Sequence, residues 1–529
     1  MALGLGRQSA FDEAFEAPRA THDPLVRLLE EALAALPVED SPLRAKLLSR
    51  LATTLYWKPG SHERRRALVR DAVEMAERLG DSGALVVALI NKRTALMGPG
   101  DAEERLADAT RVLQLVPETG DRERELQARE SRLYDLLELG DAASADVEIE
   151  RIEELARDLR QPCYLADAEM IRAMRTLMDG RLDEGGDSAA RALALNQQVR
   201  PEIAITLYGS QMYQTVWREK GRLAELETGM KAILDQVGPM PAASSGLAFV
   251  RSEQGKREGA RAEFERLAMD DFASIPREVS WTAVMANLTE VSCFLGDLPR
   301  AHVLYDHLLP FAAMNVVIGS VPHACWGPVA HFLGMLAATM GARKKAAEHF
   351  EYALEMEARM RMPATRARTQ YEYGRTFLRG NRPDDAERGA KLLEAALETA
   401  RALGMKLLEE KLSAVLAESP EQAARVADAH AESAPGSARN VFRREGKYWT
   451  IAFEGQAFRL RYTKGLAYLA ELLRNPGREL FALDLARVGE AHVGGDARRF
   501  EAGLAVSGDP GDAGPLLDCQ AKAEYRRRL

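Results

Sequence analysis

A glycine followed by an alanine five positions on, an aromatic nine on and an apolar residue twelve on recurs through the middle of this chain. Gly341 leads to Ala346, Phe350 and Ala353, Gly296 to Ala301, Tyr305 and Leu308, and Gly255 to Ala260, Phe264 and Leu267. Weaker copies start at Gly180, Gly221 and Gly380, so the successive glycines step by 41, 34, 41, 45 and 39 residues. The pattern predicts helix hairpins. The glycine breaks the chain between two helices, the small residue lets them approach, and the aromatic fills the gap to the next pair. A single hairpin has too little core to stand alone and must stack on its neighbours.

Apolar residues recur at helical spacing from Asp23 onward, with Pro or Gly punctuation between the segments. Ser61 to Gly80 reads as a serine-capped helix with a terminal glycine, and Asp101–Val116, Glu123–Leu139 and Ala142–Leu159 continue the series. Up to about Asn440 the chain reads as one helix after another. The predicted fold class is all-α, a tetratricopeptide-like α-solenoid, followed by a small α+β module. The predicted organisation is an N-terminal extension over 1–23, a superhelix over 24–418 with a concave face for a partner, a small polar linker over 419–440 around Pro435-Gly-Ser, and a module over 441–529.

The period changes at Val441. In Tyr448–Phe453 strict alternation puts Trp449, Ile451 and Phe453 on one face, Glu454-Gly455 supplies a turn, and Phe458 and Leu460 continue on a return strand. Thr463 then starts a helix striped by Leu466, Leu469, Leu472 and Leu473, which Asn475-Pro476-Gly477 ends; a second short helical segment follows over 479–487. Hairpin, helix, tight turn and helix resemble the opening of a winged-helix domain of the OmpR-like kind. A reader of that kind needs a recognition helix in the major groove, whereas a glycine-rich stretch from Gly489 to Gly514 follows here.

Further stretches carry a wider resemblance. They are Ala367–Arg375 with Arg382–Gly404, "GARKKAAEHFEYAL" from Gly341, "LGDLPRAHVLYDHLLPF" from Leu295 and "REGKYWTIAFEGQAFRLRYTKGLAYLAELLRNPGREL" from Arg444. Together they are similar to the repeat and C-terminal regions of large bacterial ATP-binding signalling and transcriptional regulators, LuxR-type and adenylate-cyclase-associated members among them. The likeness runs from about residue 24 to 529. It implies a helical region that senses or scaffolds, next to an N-terminal ATPase that acts as the switch. The chain departs from that plan, because no G-x-x-x-x-G-K-[ST] phosphate loop occurs: Gly255-Lys256 is followed by Arg and Gly446-Lys447 by Tyr. The comparison therefore implies a chain shortened at both ends, its winged-helix-like module included.

Charge and reactive residues narrow the chemistry. Residues 441–529 hold 15 Lys+Arg against 12 Asp+Glu, so the remainder holds 56 against 68 and is acidic by 12. Such a balance admits a basic tail that touches nucleic acid, and Arg459, Arg461 and Lys464 are its candidate contacts. The four cysteines, Cys163, Cys293, Cys325 and Cys519, form no C-x-x-C pair, which suggests a reducing compartment. No apolar run approaches the ~20 residues of a membrane span, and the start lacks a signal-peptide core, so a cytoplasmic protein is expected. His302 and His307 stand five apart, off the metal-pair spacing, and His323 and Cys325 read as packing around Trp326. Met356, Met360 and Met362 read as core filler, and Arg64-Arg65-Arg66 and Arg343-Lys344-Lys345 as solvated helix surface.

No catalytic, cofactor or metal constellation stands out, so the chain is expected not to be an enzyme. The leading expectation is a non-catalytic scaffold or sensor of a bacterial regulator that binds a protein or peptide on the solenoid's concave face. The alternative is a transcriptional regulator that binds DNA through 441–529, and a remnant of an ATPase or cyclase signalling enzyme comes third.

Overall fold

The computed structural model describes residues 23–237, 240–378, 383–416, 441–445, 448–453 and 456–461, with 466, 469 and 470. Gly380, Lys464, residues 1–22, the 419–440 linker and everything from 471 on lie outside the described residues. The chain divides into two compact units, Met1–Ala424 and Arg425–Leu529.

The first unit is a tandem series of helices: α1 (Asp23–Ala35), α2 (Pro42–Thr54), α3 (His62–Leu79), α4 (Ser82–Ala95), α5 (Ala102–Thr119), α6 (Arg122–Leu139), α7 (Ala142–Leu159), α8 (Pro162–Met178), α9 (Leu182–Val199), α10 (Ala204–Met212), α11 (Leu223–Val237), α12 (Pro241–Glu253), α13 (Arg257–Leu267), α14 (Trp281–Leu295) and α15 (Leu298–Leu308). After a break come α16 (Val329–Thr339), α17 (Arg343–Met360), α18 (Pro363–Leu378), α19 (Pro383–Leu403) and α20 over 406–416. Helices pack on the next in the chain, as α8 does on α9 and α18 on α19, and on the one after, as α2 does on α4 and α12 on α14. That is how stacked hairpins share one core. No helix among the described residues is long and apolar enough to cross a membrane.

A Gly-Asp dipeptide makes many of the corners. Gly140 ends α6 at φ 77°, and Gly296 ends α14 at φ 66°, a left-handed conformation in which a side chain is strained. The aspartate after each glycine caps the next helix. Asp81, Asp121, Asp141 and Asp297 accept from the amides of Ala84, Arg124, Ser144 and Arg300 at 2.7, 3.1, 3.1 and 3.2 Å. Ser61 departs from its expected capping role: it makes no cap bond to α3, and its hydroxyl donates to Leu55 O at 2.7 Å.

The repeat residues lie in the core. Ala260, Phe264, Ala301, Ala346, Phe350 and Ala353 are fully buried and Tyr305 nearly so, while Gly255, Gly296 and Gly341 all adopt positive φ at corners. Phe350 stacks on Tyr373 at 5.3 Å and presses against Gly334, where a Cβ would come within 2.6 Å of its ring. A glycine in α16 therefore makes the gap that the aromatic of α17 fills.

One expectation fails in the middle of the array. Residues expected to continue the helices form an antiparallel hairpin, β1 (Asn315–Ile318) and β2 (Ala324–Pro328), with a register irregularity between Val316 and Val317. Three consecutive β-branched residues, Val316-Val317-Ile318, and the Gly319…Pro322 turn favour a strand pair, and the ribbon is buried on both faces. Val316, Ile318, Ala324 and Trp326 join the apolar cluster built from α12–α18, whereas Val317, Val321 and Cys325 join the one built from α6–α8 and the methionines Met356, Met360 and Met362. The hairpin cross-links distant repeats: Asn315 Nδ2 donates to Leu137 O at 2.8 Å, and Gln211 Nε2 to His323 O at 2.7 Å. Space between α6, α8, α14 and α17 is thus taken by the chain itself.

In the second unit three strands, β3 (Val441–Glu445), β4 (Tyr448–Phe453) and β5 (Gln456–Arg461), form an antiparallel meander. Trp449 pairs with Arg444 on one side and Leu460 on the other, and Phe453 pairs with Gln456 across the turn.

Candidate functional site

A cavity of about 1250 Å³ opens between α3–α5, with the turn 56–61 before them, and the loop 275–280, segments some 200 residues apart in the chain. Its floor is set by Tyr56. The phenol donates to Met97 O at 2.8 Å and accepts from the amide of Val279 at 3.1 Å, so one side chain joins three segments. Tyr56, Met97 and Val279 form a small apolar cluster of their own, with Trp57 edge-on to Tyr56 at 5.0 Å. Burial pushes the Tyr56 phenol well above its usual pKa, so it stays a donor. Close approach is enforced at Gly98, where a Cβ would meet Arg277 O at 2.6 Å.

Arginines hold the walls. Arg65 lies over the Tyr56 ring at 4.8 Å and donates to Ala95 O, with 7% of its surface exposed. The expectation of a solvated Arg64-Arg65-Arg66 therefore fails for Arg65, because the α3 periodicity turns it inward onto an aromatic while its neighbours face out. Arg105 donates to Asp135 at 2.9 Å, to Glu138, and to the carbonyls of Gly98 and Gly100, pinning the loop at the cavity edge. Lys92 is engaged by Glu104 and Asp108 at 2.8 and 2.7 Å.

Other basic side chains lining this cleft face solvent. Lys58, His62, Arg66 and Arg277 are exposed and make no ion pair among the described residues, although Arg66 adds to the positive field that lowers Glu104 and Arg277 lies over the Trp281 ring at 5.1 Å; Arg70 pairs with its own neighbour Asp71 at 3.1 Å. His62, Arg66 and Arg70 stand at i, i+4 spacing on α3 and form one row. Three buried side-chain donors of the wall, Trp57 Nε1, Arg65 Nε and Arg93 Nε, have no acceptor. Glu278 is pushed up to about 7 by burial, against the pull of Arg65.

A second cavity of about 380 Å³ lies among α14, α16, α18 and α20. Here every charge has an opposite. Arg218 bonds Glu253 at 3.1 Å and Glu290 at 2.5 Å, Lys411 bonds Glu253 at 2.9 Å, Arg368 bonds Glu219 at 2.5 Å, and Arg375 faces Glu372 at 3.3 Å. Burial works against the charge of Glu253, but Arg218 and Lys411 hold its pKa down. Beside them the Thr369 hydroxyl bridges Glu357 at 2.6 Å and His331 Nδ1 at 2.8 Å. Burial drives His331 down to about 3 and Glu357 up to about 8. Thr369 is wholly enclosed, so the triplet is packing rather than a nucleophilic centre.

The remaining candidates separate. Arg459 and Arg461 lie on β5, opposite Thr450 and Tyr448, and Lys464 lies outside the described residues. His302 and His307 each bond a backbone carbonyl, of Leu298 and Asp271. His323 bonds Ser210 at 2.8 Å, whereas Trp326 stands edge-on to Tyr213 at 5.1 Å and Cys325 joins the other apolar cluster, so the structure does not gather His323 and Cys325 around Trp326. Sequence reading missed the cleft. Its one signal was the aromatic and basic interleaving from Tyr56-Trp57-Lys58 to Arg64-Arg65-Arg66; the other wall, Ile275–Ser280, carries none. No protein-family model matches this chain, and no curated protein matches it.

Proposed function

We propose that this protein is a non-catalytic, tetratricopeptide-like binding scaffold or sensor, part of a bacterial signalling or transcriptional regulator, that holds a protein or peptide partner in the cleft between α3–α5 and the loop 275–280. The observation that carries the reading is the cleft itself: about 1250 Å³, with apolar walls and an exposed row of basic side chains of which only Arg70 makes an ion pair, with its neighbour Asp71. That volume exceeds the ~300–1,000 Å³ usual for small-molecule pockets, which favours a chain segment as occupant. The second cavity is closed by its own ion pairs and offers no comparable surface. The test places a photo-crosslinking residue at Arg66 of the full chain, and a control at Lys344, in the native cell. A defined partner joined only from position 66, whose measured affinity falls when Leu96→Arg fills the cleft, supports the reading. Equal labelling from both positions counts against it.

A second reading is duplex DNA binding through 441–529 by a winged-helix-like module. The three-stranded meander β3–β4–β5, with Arg459 and Arg461 on its last strand, favours it. It predicts binding that weakens steeply with salt and on neutralising Arg459, Arg461 or Lys464. Salt-insensitive binding by the full chain removes it.

A further inference from the structure

We infer that the cleft's occupant is an extended acidic peptide in which carboxylates alternate with apolar side chains, a proposal that rests on the cleft being the partner site. Spacing carries the argument. His62, Arg66 and Arg70 climb α3 in steps of four residues, about 6 Å along the axis at ~1.5 Å per residue. Side chains on one face of an extended peptide recur every second residue, about 6.6 Å at ~3.3 Å per residue. A peptide running along α3 therefore presents one carboxylate per helical turn to this row, within the reach of flexible arginines. Its alternate side chains point away, toward the apolar lining of Leu96, Met240, Ile275 and Val284.

Polarity agrees. Lys58 extends the cationic row beyond the start of α3, and the acids Glu104 and Asp108 are already engaged by Lys92. Glu74 follows Arg70 by one turn on the same face and reverses the sign there, so the carboxylate pattern ends at that point and a basic or neutral residue follows it. Around this row the protein is acidic, by 12 charges over residues 1–440 (56 Lys+Arg against 68 Asp+Glu), so the cleft is a local inversion of the body's sign.

The test titrates the full chain against fluorescein-labelled decapeptides by anisotropy: one alternating Glu with Leu and Phe, its Gln-for-Glu counterpart, and a single-stranded oligonucleotide of equal charge. The alternating acidic peptide is expected to bind at least tenfold tighter than the Gln peptide. The Arg66→Glu/Arg70→Glu double variant is expected to lose at least tenfold in affinity for it, while Lys344→Glu, far from the cleft lining, leaves it unchanged; unaltered thermal midpoints show that the variants fold. Equal binding of acidic and Gln peptides, unaffected by the double variant but abolished by Leu96→Arg, overturns the acidic occupant and leaves the cleft as a partner site. Tighter binding of the oligonucleotide than of the acidic peptide overturns a peptide occupant in favour of nucleic acid. No binding of any probe overturns the acidic occupant, and if crosslinks from position 66 are also absent, the binding function falls with it.

Discussion

The two cavities of the helical unit use the same side chains to opposite ends. Around the smaller one, four cations meet four carboxylates, and the network links α12, α14, α18 and α20 across as many as 158 residues, as Lys411 does with Glu253. Around the larger cleft, Arg65 is absorbed into an aromatic face and a backbone carbonyl and Arg105 and Lys92 into carboxylates, whereas Lys58, His62 and Arg66 are left facing solvent. A charge with a buried opposite serves cohesion, and one facing solvent is free for the outside partner proposed above. The orphaned atoms carry the same distinction: three donors at the cleft, one acceptor, Glu219 Oε2, at the smaller cavity.

Breaking the balanced network should have the largest effect. Arg218→Met strands Glu253 and Glu290, and unpairing buried charges of this kind costs about 3–5 kcal/mol, read as a lower urea midpoint. A cost below about 1 kcal/mol would erase the contrast between the cavities. Next comes the latch beside the cleft. Gly98→Ala drives a methyl against Arg277 O, and overpacking of this sort costs about 1–3 kcal/mol, with faster hydrogen exchange at the Val279 amide as the local sign. An unchanged Val279 amide would mean that the two walls are not held by this contact.

Smaller effects sharpen the comparison through pH. Burial raises Glu278 from the ordinary 4.5 to about 7, so the folded state holds its proton more tightly than the unfolded chain. Its contribution to stability is full below about 4.5 and is lost as pH rises through about 7. The charged group facing it is Arg65 from α3, and the neutral phenol of Tyr56 lies beside it. Glu278→Gln should raise the thermal midpoint at pH 8 and leave it unchanged at pH 4; an equal shift at both pH values would trace to packing instead. The smallest stability change belongs to Arg66→Glu with Arg70→Glu, within about 0.5 kcal/mol in urea, as for surface substitutions generally. A large loss would show that these arginines hold the fold and are not a free binding row.

Much of the helical series was legible because its signals are local. A glycine able to take positive φ, an aspartate able to cap, and an aromatic nine residues after the break each act within one corner, as at Gly296, Asp297 and Tyr305. The β1–β2 hairpin was not legible as an interruption. Its strands span four and five residues, too few to establish a period, and they are stabilised by helices from residue 122 to 360 rather than by each other. Arg65 and Arg66 make the same point one residue apart: composition describes them alike, and the direction of each side chain from α3 decides which is buried.

Sequence alone determined the succession of helix hairpins, the change of period at Val441 and the charge division between body and tail, because each follows from nearest neighbours along the chain or from a simple sum. Tertiary structure decided the rest. It put the chain's own hairpin among the repeats, joined Tyr56 to Val279 over 223 residues, and left a row of basic side chains on α3 facing solvent. Those outcomes depend on which surfaces distant segments bring together, and packing of that range leaves no periodic mark in the chain.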